Sequence, residues 1–227
     1  MLPSPPSPED ANLQVLYDNR FKANAKSKQK IWDVLCKHFF QRFIPEESCV
    51  LDIAAGNCEF INYIKAHEKI AFDRNSDIYR YADQDVRAIN DNFFNMGKYI
   101  KKNIDIIFAS NLLEHLDSKE QVLAAIKLCY DYLVYGGKLL ILQPNIKYVK
   151  GAYWDFIDHK IPLTEKSLIE AGQLCGFSVS YVIARFLPYT TKSRMPQHPL
   201  LVFLYLKIPF IRLLLGQQSF VVLEKQQ

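Results

Sequence analysis

The 227-residue sequence lacks several patterns that would assign it to a well-defined class of protein. Its five cysteines are scattered without a C-x-x-C pair, which predicts reduced, mostly buried thiols and a cytoplasmic location. The stretch MLPSPPSPED has neither a basic nor an apolar run, so no secretory signal is expected. Neither G-x-G-x-x-G nor a P-loop occurs, which argues against a nicotinamide-dependent enzyme and against a nucleotide kinase.

The sequence also has little excess charge. The formal net charge is +4, and the basic residues form no stripe with interleaved aromatic residues. No nucleic-acid partner is therefore expected. The length and the apolar fraction of 49% predict one folded domain over residues 27–227. A disordered leading segment is expected over residues 1–26, where proline and serine are frequent.

A nearly continuous apolar run, PLLVFLYLKIPFIRLLL, occupies residues 199–215. It is short for a bilayer span and is interrupted by Pro209, so we expect a helical insertion near residues 199–216. This insertion is expected either to pack as a buried pair of helices or to form a surface for lipid. Four cations flank or interrupt the run, namely Lys192, Arg194, Lys207 and Arg212. On a lipid surface they would meet anionic headgroups, with the protein peripheral at the inner face of the membrane.

Amphipathic helices and apolar strands alternate along the rest of the chain. Residues 26–43 predict a helix whose buried stripe comprises Ile31, Val34, Leu35, His38 and Phe39. Later helices are expected to begin at Ser118 and at Thr164, and the first of these to end at Gly136 and Gly137. The predicted strands are SCVLDIAAG, KIAFD, DIIFAS, KLLILQPN, FSVSYVIARFL and SFVVLEK. This alternation predicts an α/β protein with a largely parallel sheet.

Small and polar residues follow the predicted strands at one edge of that sheet. After Asp52 the chain turns through Ala54, Ala55 and Gly56, where small side chains leave the backbone uncovered for a ligand. Asp73 ends the next strand, and a carboxylate there can accept hydrogen bonds from both hydroxyls of a ribose. The polar residues Ser110 and Asn111 end the next predicted strand, IFASN. This edge of the sheet is therefore the predicted ligand site.

These ordered segments resemble class I S-adenosylmethionine-dependent methyltransferases of the type 11 and type 23 groups, over about residues 50–177 and the last strand. The resemblance implies a Rossmann-like, doubly wound fold with three αβα layers. Its seven-stranded sheet would be mostly parallel, with an antiparallel last strand. The family's glycine-rich turn matches Asp52, Ala54, Gly56 and Cys58. Ala54 and Cys58 replace its outer glycines, and Cys58 is expected to crowd the turn.

The resemblance implies S-adenosylmethionine as cofactor and S-adenosylhomocysteine as product. Asp73 matches the acidic residue that binds the ribose. Asp91 matches the residue that meets the adenine amine, and Asn92 and Phe93 match residues that line the ring. Ser110 and Asn111 lie where the family places residues near the methionine moiety.

Residues for the acceptor are predicted after the fifth strand, in the segment GAYWDFIDHKIPLT. Aromatic, acidic and imidazole side chains in a loop over the ligand edge suit acceptor binding and proton removal. We expect His159 to act as general base with Asp158 orienting it, and Tyr153 and Trp154 to shape the acceptor pocket. His115, in LLEHL, is the alternative base. No metal site is predicted.

The expected activity is methyl transfer to a small acceptor. A looser resemblance to methyltransferases of bacterial surface-glycan and glycolipid assembly favours an oxygen of a sugar, a glycan or a lipid-linked intermediate, and hence a role in polysaccharide biosynthesis. A quinone or another small molecule is a further candidate acceptor. Ala54 and Cys58 favour a different alternative, in which the chain binds its cofactor weakly and serves as an interaction or regulatory protein. The oligomeric state is left open.

Overall fold

A computed structural model describes residues 25–101, 103–189 and 198–227, with side chains from residue 28 onward. Most of the predicted leading segment lies outside these residues, although its last two, Ala25 and Lys26, begin the first helix. Lys192 and Arg194 also lie outside the described residues.

The described residues form eight helices and seven strands, joined in part by short 3-10 turns. The helices are α1 Ala25–His38, α2 Glu59–Tyr63, α3 Ile78–Tyr81, α4 Lys119–Tyr132, α5 Ile146–Val149, α6 Glu165–Leu174, α7 Pro199–Lys207 and α8 Pro209–Leu215. The strands are β1 Cys49–Ile53, β2 Glu68–Asp73, β3 Val86–Asn90, β4 Ile104–Ser110, β5 Leu133–Pro144, β6 Phe177–Ile183 and β7 Gln218–Lys225. The 3-10 turns are Phe40–Phe43, Phe93–Lys98, Leu113–His115 and Lys150–Asp155.

The strands form one sheet in the order β3-β2-β1-β4-β5-β7-β6. The first five strands pair in parallel, whereas β7 is antiparallel to both of its neighbours. The order reverses between β1 and β4, and ligands of open α/β sheets bind outside the carboxyl ends of the strands at such a reversal. The predicted mostly parallel sheet with an antiparallel last strand is confirmed.

Apolar side chains alternate between the two faces of the sheet, as the two-residue period of a strand requires. In β7, Phe220 and Val222 face one core and Val221 and Leu223 face the other. Helices α1, α2 and α7 contribute to the first core, and α4 and α6 contribute to the second. The molecule therefore has the predicted three αβα layers.

Two of the predicted helix boundaries are wrong. The helix α1 ends at His38, and the 3-10 turn that follows buries Phe39 and Phe40 while it leaves His38 exposed. Gly136 and Gly137 do not end α4, because that helix stops at Tyr132 and the glycines lie within β5. There the register with β4 shifts between Ile104 and Ile106, so the glycines accommodate an irregularity in the strand.

The apolar run forms two short helices, α7 and α8, and each begins with a proline in its first turn. Within the described residues, no helix is both long enough and apolar enough to cross a bilayer. The sequence predicted Arg212 to be a free surface cation, and this prediction is wrong. Its guanidinium donates a hydrogen bond to the Leu206 carbonyl at 2.9 Å and lies 5.5 Å from the Phe186 ring centroid.

Candidate functional site

The turn after β1 passes through left-handed backbone at every second residue. Ala54, Gly56 and Cys58 have φ values of +64°, +54° and +57°. Glycine adopts this conformation without steric cost, whereas a residue with a Cβ is strained there. The backbone thus keeps the conformation of a glycine-rich turn, although two of the three positions carry a side chain.

The side chains at these positions do not fill the exposed side of the turn. The Cys58 thiol is completely buried in the apolar core shared with α1 and α2, whereas Ala54 and Gly56 are partly exposed. A Cβ added to Gly56 would meet no atom within 4 Å. The crowding predicted for Cys58 is therefore absent from the face that a ligand would approach.

Asp73, at the end of β2, fastens this turn to the sheet. The Gly56 N–H donates to Asp73 Oδ2 at 2.7 Å, and the Asn75 N–H donates to Oδ1 at 2.8 Å. Burial raises the pKa of Asp73, and the two N–H donors partly oppose that shift. The Arg74 N–H also donates to this carboxylate. Since a carboxylate offers about four acceptor positions, about one remains for a ligand.

Asp52 lies beneath the turn with 2% of its surface exposed. Burial raises the pKa of Asp52 well above its ordinary value, and the negative charges of Asp73 and Glu59 raise it further. Ionisation of a carboxyl with a pKa raised in this way destabilises the native state. Such a costly arrangement at a ligand edge is typical of functional sites.

Asp91, immediately after β3, has both carboxylate oxygens in hydrogen bonds. Oδ1 accepts from the Asn92 N–H and the Asn95 amide, and Oδ2 accepts from the Tyr99 hydroxyl at 2.7 Å. Slight burial raises the pKa of Asp91, but these hydrogen bonds outweigh it and the net shift is downward. Asp91 is therefore a fixed anion at the carboxyl edge of the sheet.

The residues after Asp91 divide between the core and the surface. Asn92 caps the next turn by accepting from the Phe94 N–H at 3.1 Å. Phe93 is only 6% exposed and packs in the core, whereas Phe94 is 36% exposed and stacks on it at 4.4 Å. The ring that faces the surface is thus Phe94, which the sequence did not single out.

Ser110 ends β4 and Asn111 follows it, next to the reversal in strand order. Asn111 has a φ of +48°, and its side-chain amide donates to Ser110 Oγ at 3.0 Å. The Asn111 N–H donates to the Leu142 carbonyl at 2.9 Å, which ties the segment to β5. Both residues therefore lie at the same edge of the sheet as Asp52 and Asp73.

The two aromatic residues predicted to shape the acceptor pocket differ in burial. Tyr153 is completely buried, and its hydroxyl donates to the Ile161 carbonyl. Trp154 is 53% exposed, and its ring packs edge-on against Tyr153 at 5.2 Å. Tyr153 thus holds the loop, and Trp154 is the residue available to a ligand.

The three predicted catalytic residues lie together. His115 Nδ1 lies 3.0 Å from the Asp158 carbonyl oxygen and 3.4 Å from Asp158 Oδ2. The His115 and His159 rings are edge-on at 4.9 Å. The contact between Asp158 and His115 is one that the sequence did not predict.

Glu114 completes this group and was not among the predicted site residues. Its side chain is 1% exposed, and within the described residues neither carboxylate oxygen has a hydrogen-bond partner. Burial raises the pKa of Glu114, which the neighbouring His115 partly opposes. The available signal was a carboxylate inside the otherwise apolar stretch NLLEHL, directly before a candidate catalytic histidine.

Neither a protein-family model nor a curated protein matches the sequence. The fold does match solved structures. A SAM-dependent methyltransferase from Archaeoglobus fulgidus matches 93% of this chain and 99% of its own, with a TM-score of 0.67 and 20% identity. The complex between the Haloferax volcanii Trm112 methyltransferase activator and a methyltransferase contains a chain that matches 99% of this one and 100% of its own, with a TM-score of 0.65 and 11% identity.

A third similar solved structure has a ligand bound. The plantazolicin methyltransferase BpumL, in complex with SAH, matches 97% of this chain and 91% of its own, with a TM-score of 0.59 and 12% identity. Likeness at such low identities concerns the fold. The chain has the class I fold of SAM-dependent methyltransferases.

Proposed function

We propose that this chain binds S-adenosylmethionine at the carboxyl edge of its sheet and transfers the methyl group to an oxygen of a small acceptor. One observation carries the proposal. The Asp73 carboxylate receives a hydrogen bond from Gly56, at the centre of a turn with three left-handed residues. This pairing brings the ribose-binding carboxylate of the resemblance to the uncovered backbone that would meet the rest of the cofactor.

The residues at this edge fit the cofactor. The turn is open above Gly56, and Asp73 keeps acceptor capacity for a ribose hydroxyl. For the adenine we propose Asp91 and Asn92, with Phe93 supporting the exposed Phe94 ring. Ser110 and Asn111 are proposed for the methionine end, and Asp52 and Ala54 for the floor of the site.

The cofactor supplies a methyl group already activated on a sulfonium sulfur. The chain must therefore align the acceptor, exclude water and accept a proton from the attacking hydroxyl. We propose that the group around Glu114, His115, Asp158 and His159 performs the last task. Trp154 would cover the acceptor, while the buried Tyr153 holds the loop that carries it.

For the acceptor we propose a hydroxyl of a sugar or glycan unit that is attached to lipid. The support is the exposed apolar surface of α7 and α8, where Phe210 and Leu214 are 78% and 79% exposed. Exposed apolar residues in such number mark an interaction surface, and a peripheral membrane contact would bring the enzyme to its acceptor. A quinone would use the same surface and differ only in the acceptor pocket.

The second candidate is an interaction or regulatory protein that keeps the fold but binds the cofactor weakly. Ala54 and Cys58, with side chains at left-handed positions, are the observation that favours it. The burial of the Cys58 thiol behind the turn favours the enzyme instead, because the thiol leaves the exposed face clear.

Replacement of Asp73 tests the cofactor site. We expect Asp73→Asn to weaken S-adenosylhomocysteine binding by roughly tenfold to a hundredfold, the usual worth of hydrogen bonds to a charged group. Asp83→Asn, at an exposed position after α3, is the matched control and should bind like the wild type. Equal affinity of the two variants in equilibrium dialysis would refute the assignment of Asp73.

Labelled cofactor tests the transfer. A panel of sugars, lipid-linked sugars and quinones is incubated with the protein and methyl-labelled S-adenosylmethionine. We expect label in a hydroxyl-bearing acceptor, and His159→Ala should lower turnover far more than it lowers S-adenosylhomocysteine affinity. Turnover by His159→Ala equal to that of the wild type would contradict the role given to this group.

Vesicle sedimentation tests the lipid surface. The wild-type protein should sediment with anionic vesicles, and the double variant Phe210→Ser, Leu214→Ser should remain in solution. Lys207→Gln should weaken binding to anionic vesicles only, since Lys207 is the exposed cation of this surface. A wild-type protein that stays in solution would refute the membrane contact and leave a soluble acceptor.

A further inference from the structure

We propose that Glu114, His115 and His159 form a binding site for one divalent transition-metal ion. One ligand atom from each residue lies within 4.8 Å of the other two. Two imidazole nitrogens and one carboxylate oxygen are a ligand set that Zn²⁺ and related ions bind in catalytic sites. None of the three residues was expected to bind metal from the sequence.

Backbone hydrogen bonds bring the two segments of the site together. Glu114 and His115 lie in the 3-10 turn after β4, and His159 lies in the loop after β5. The N–H groups of Lys160 and Ile161 both donate to the Glu114 carbonyl, at 2.8 Å and 3.1 Å. The position of His159 beside Glu114 is therefore set by the main chain and not by flexible side chains.

The carboxylate of Glu114 is the observation that points to a cation. It is 1% exposed, and within residues 25–101, 103–189 and 198–227 neither oxygen has a hydrogen-bond partner. His115 Nε2 lies 3.9 Å from Oε1. A buried polar group without partners carries a free-energy cost in the folded protein. A metal ion between the carboxylate and the imidazoles would remove that cost.

The contacts of Asp158 orient His115 as a ligand. Its carbonyl and carboxylate oxygens both face His115 Nδ1, so this nitrogen carries the proton and donates it to Asp158. The lone pair is then on Nε2, which faces Glu114. Metal-binding histidines are held in this way by a carbonyl or a carboxylate behind the ring.

Aromatic rings enclose His159. Phe156 stacks on it at 5.1 Å with an interplanar angle of 26°, and the Tyr153 ring lies 4.7 Å away. His159 is 8% exposed, so its ring has little freedom to turn. An apolar wall of this kind limits solvent access and strengthens the bond between a metal ion and its ligands.

The geometry requires a small contraction on binding. With bonds of about 2.1 Å and tetrahedral angles, ligand atoms lie about 3.4 Å apart. The ligand atoms here lie within 4.8 Å of one another, so they must close by up to about 1.4 Å. The nitrogen-rich set favours Zn²⁺, Co²⁺ or Mn²⁺ over Mg²⁺, which prefers oxygen ligands and retains water. Three protein ligands leave at least one coordination position for another molecule.

The chemical role of this metal ion rests on the proposed function, methyl transfer to a hydroxyl. An ion in this position lowers the pKa of a coordinated hydroxyl, so the acceptor loses its proton to solvent more readily. His115 and His159 then serve as ligands, and neither needs to be the general base. Asp158 becomes a positioning residue that fixes the ring of His115.

Titration with Co²⁺ tests the site without any measurement of activity. The full chain, freed of metal with EDTA and dialysed, is titrated while the visible d–d absorption of the ion is recorded. We expect saturation at one equivalent, with no thiolate-to-cobalt charge-transfer band. Glu114→Gln and His159→Gln should each weaken Co²⁺ binding at least tenfold, because each removes a ligand of the metal ion.

Matched controls separate metal binding from general damage to the fold. His67→Gln, at an exposed histidine, should bind Co²⁺ like the wild type. Zn²⁺ should raise the Tm of the wild type and of His67→Gln, but not that of Glu114→Gln. Absence of Co²⁺ binding by the folded wild type, or undiminished binding by Glu114→Gln, would overturn the proposal.

The test of the metal site can be distinguished from the test of the cofactor site. Asp73→Asn should lose S-adenosylhomocysteine affinity and keep Co²⁺ affinity, whereas Glu114→Gln should show the opposite pattern. Loss of Co²⁺ binding in Asp73→Asn would contradict a separate metal site. Cofactor binding without any Co²⁺ binding by the wild type would leave the proposed methyl transfer in place and refute the metal site alone.

Discussion

At the scale of single residues, the turn after β1 shows how the chain departs from a glycine-rich motif and still preserves its shape. A residue with a Cβ in left-handed backbone costs about 1–2 kcal/mol relative to the right-handed form. Ala54 and Cys58 both bear that cost. The strain persists because hydrogen bonds such as Ala55 N–H to the Phe72 carbonyl, at 2.8 Å, hold the turn to β2.

Ala54→Gly is expected to raise the free energy of unfolding by about 0.5–1 kcal/mol. Glycine relieves the left-handed strain at this partly exposed position, and the gain exceeds the extra entropy of the unfolded chain. Urea denaturation monitored by circular dichroism measures the change. A loss of stability in this variant would show that the turn does not strain Ala54.

Cys58→Gly should have the opposite effect, although it relieves the same kind of strain. The thiol is completely buried, so its removal leaves a cavity in the core shared with α1 and α2. We expect a net loss of about 1 kcal/mol or more in the same urea experiment. Stabilisation by Cys58→Gly would mean that backbone strain outweighs packing here.

Asp52→Asn tests the buried carboxyl beneath the turn. The pKa of Asp52 is raised in the folded protein, so folding is favoured by the protonated group, and that contribution is lost as the pH rises above about 3.8. Asparagine stays neutral, so the variant should gain in Tm relative to the wild type as the pH increases from 4 to 8. A Tm difference independent of pH would contradict the raised pKa.

Single residues were also where sequence reasoning was least complete. The strand-end residues Asp52, Asp73 and Asp91 could be found because each polar residue ends an apolar run. Glu114 had only the signal of its apolar neighbours, because its burial and its contact with a loop far along the chain are visible only in the structure. Burial likewise separated Phe93 from Phe94, which the sequence alone does not distinguish.

At the scale of elements, the six strands with apolar runs were predictable, whereas β3, at one edge of the sheet, was not. Six apolar runs predicted six strands, and all six are confirmed. The missed strand, β3, has the sequence VRAIN, with an exposed Arg87 in place of an apolar run. A strand at the edge of a sheet is covered less than a central one, so its sequence carries a weaker apolar pattern.

The Tyr153 hydroxyl helps to hold the loop after β5 in place. Tyr153→Phe leaves the Ile161 carbonyl without this donor, and we expect a loss of about 1–2 kcal/mol in the free energy of unfolding. Trp154→Phe, at the exposed neighbour, is the matched control and should stay within about 0.5 kcal/mol of the wild type. Equal unfolding midpoints for the two variants would show that the hydroxyl does not hold the loop.

At the scale of the whole molecule, the carboxyl edge of the sheet gathers groups that the sequence separates widely. Asp52, Asp73 and Asn111 lie at the carboxyl ends of different strands, and the order β2-β1-β4 brings them to neighbouring positions. The cofactor and acceptor halves of the proposed site are thus adjacent because of topology alone. The sequence predicted this edge from the small and polar residues at the strand ends, and it could not predict which loop of the second half packs against Glu114.

The surface of α7 and α8 is the other feature of molecular scale. The alternative of a buried helical pair is only partly met, since Tyr205 is buried whereas most of the leucines remain exposed. Helix α7 therefore packs on α1, and both helices carry exposed apolar residues on the outside. That second face gives the proposed lipid contact its physical basis.

The most direct test of the account is calorimetric titration of S-adenosylhomocysteine into the full-length protein. We expect a single binding event of about one equivalent of S-adenosylhomocysteine per chain, with micromolar or tighter affinity. A folded protein that shows no binding heat at high micromolar S-adenosylhomocysteine would contradict the central claim that the edge formed by Gly56 and Asp73 is a cofactor site.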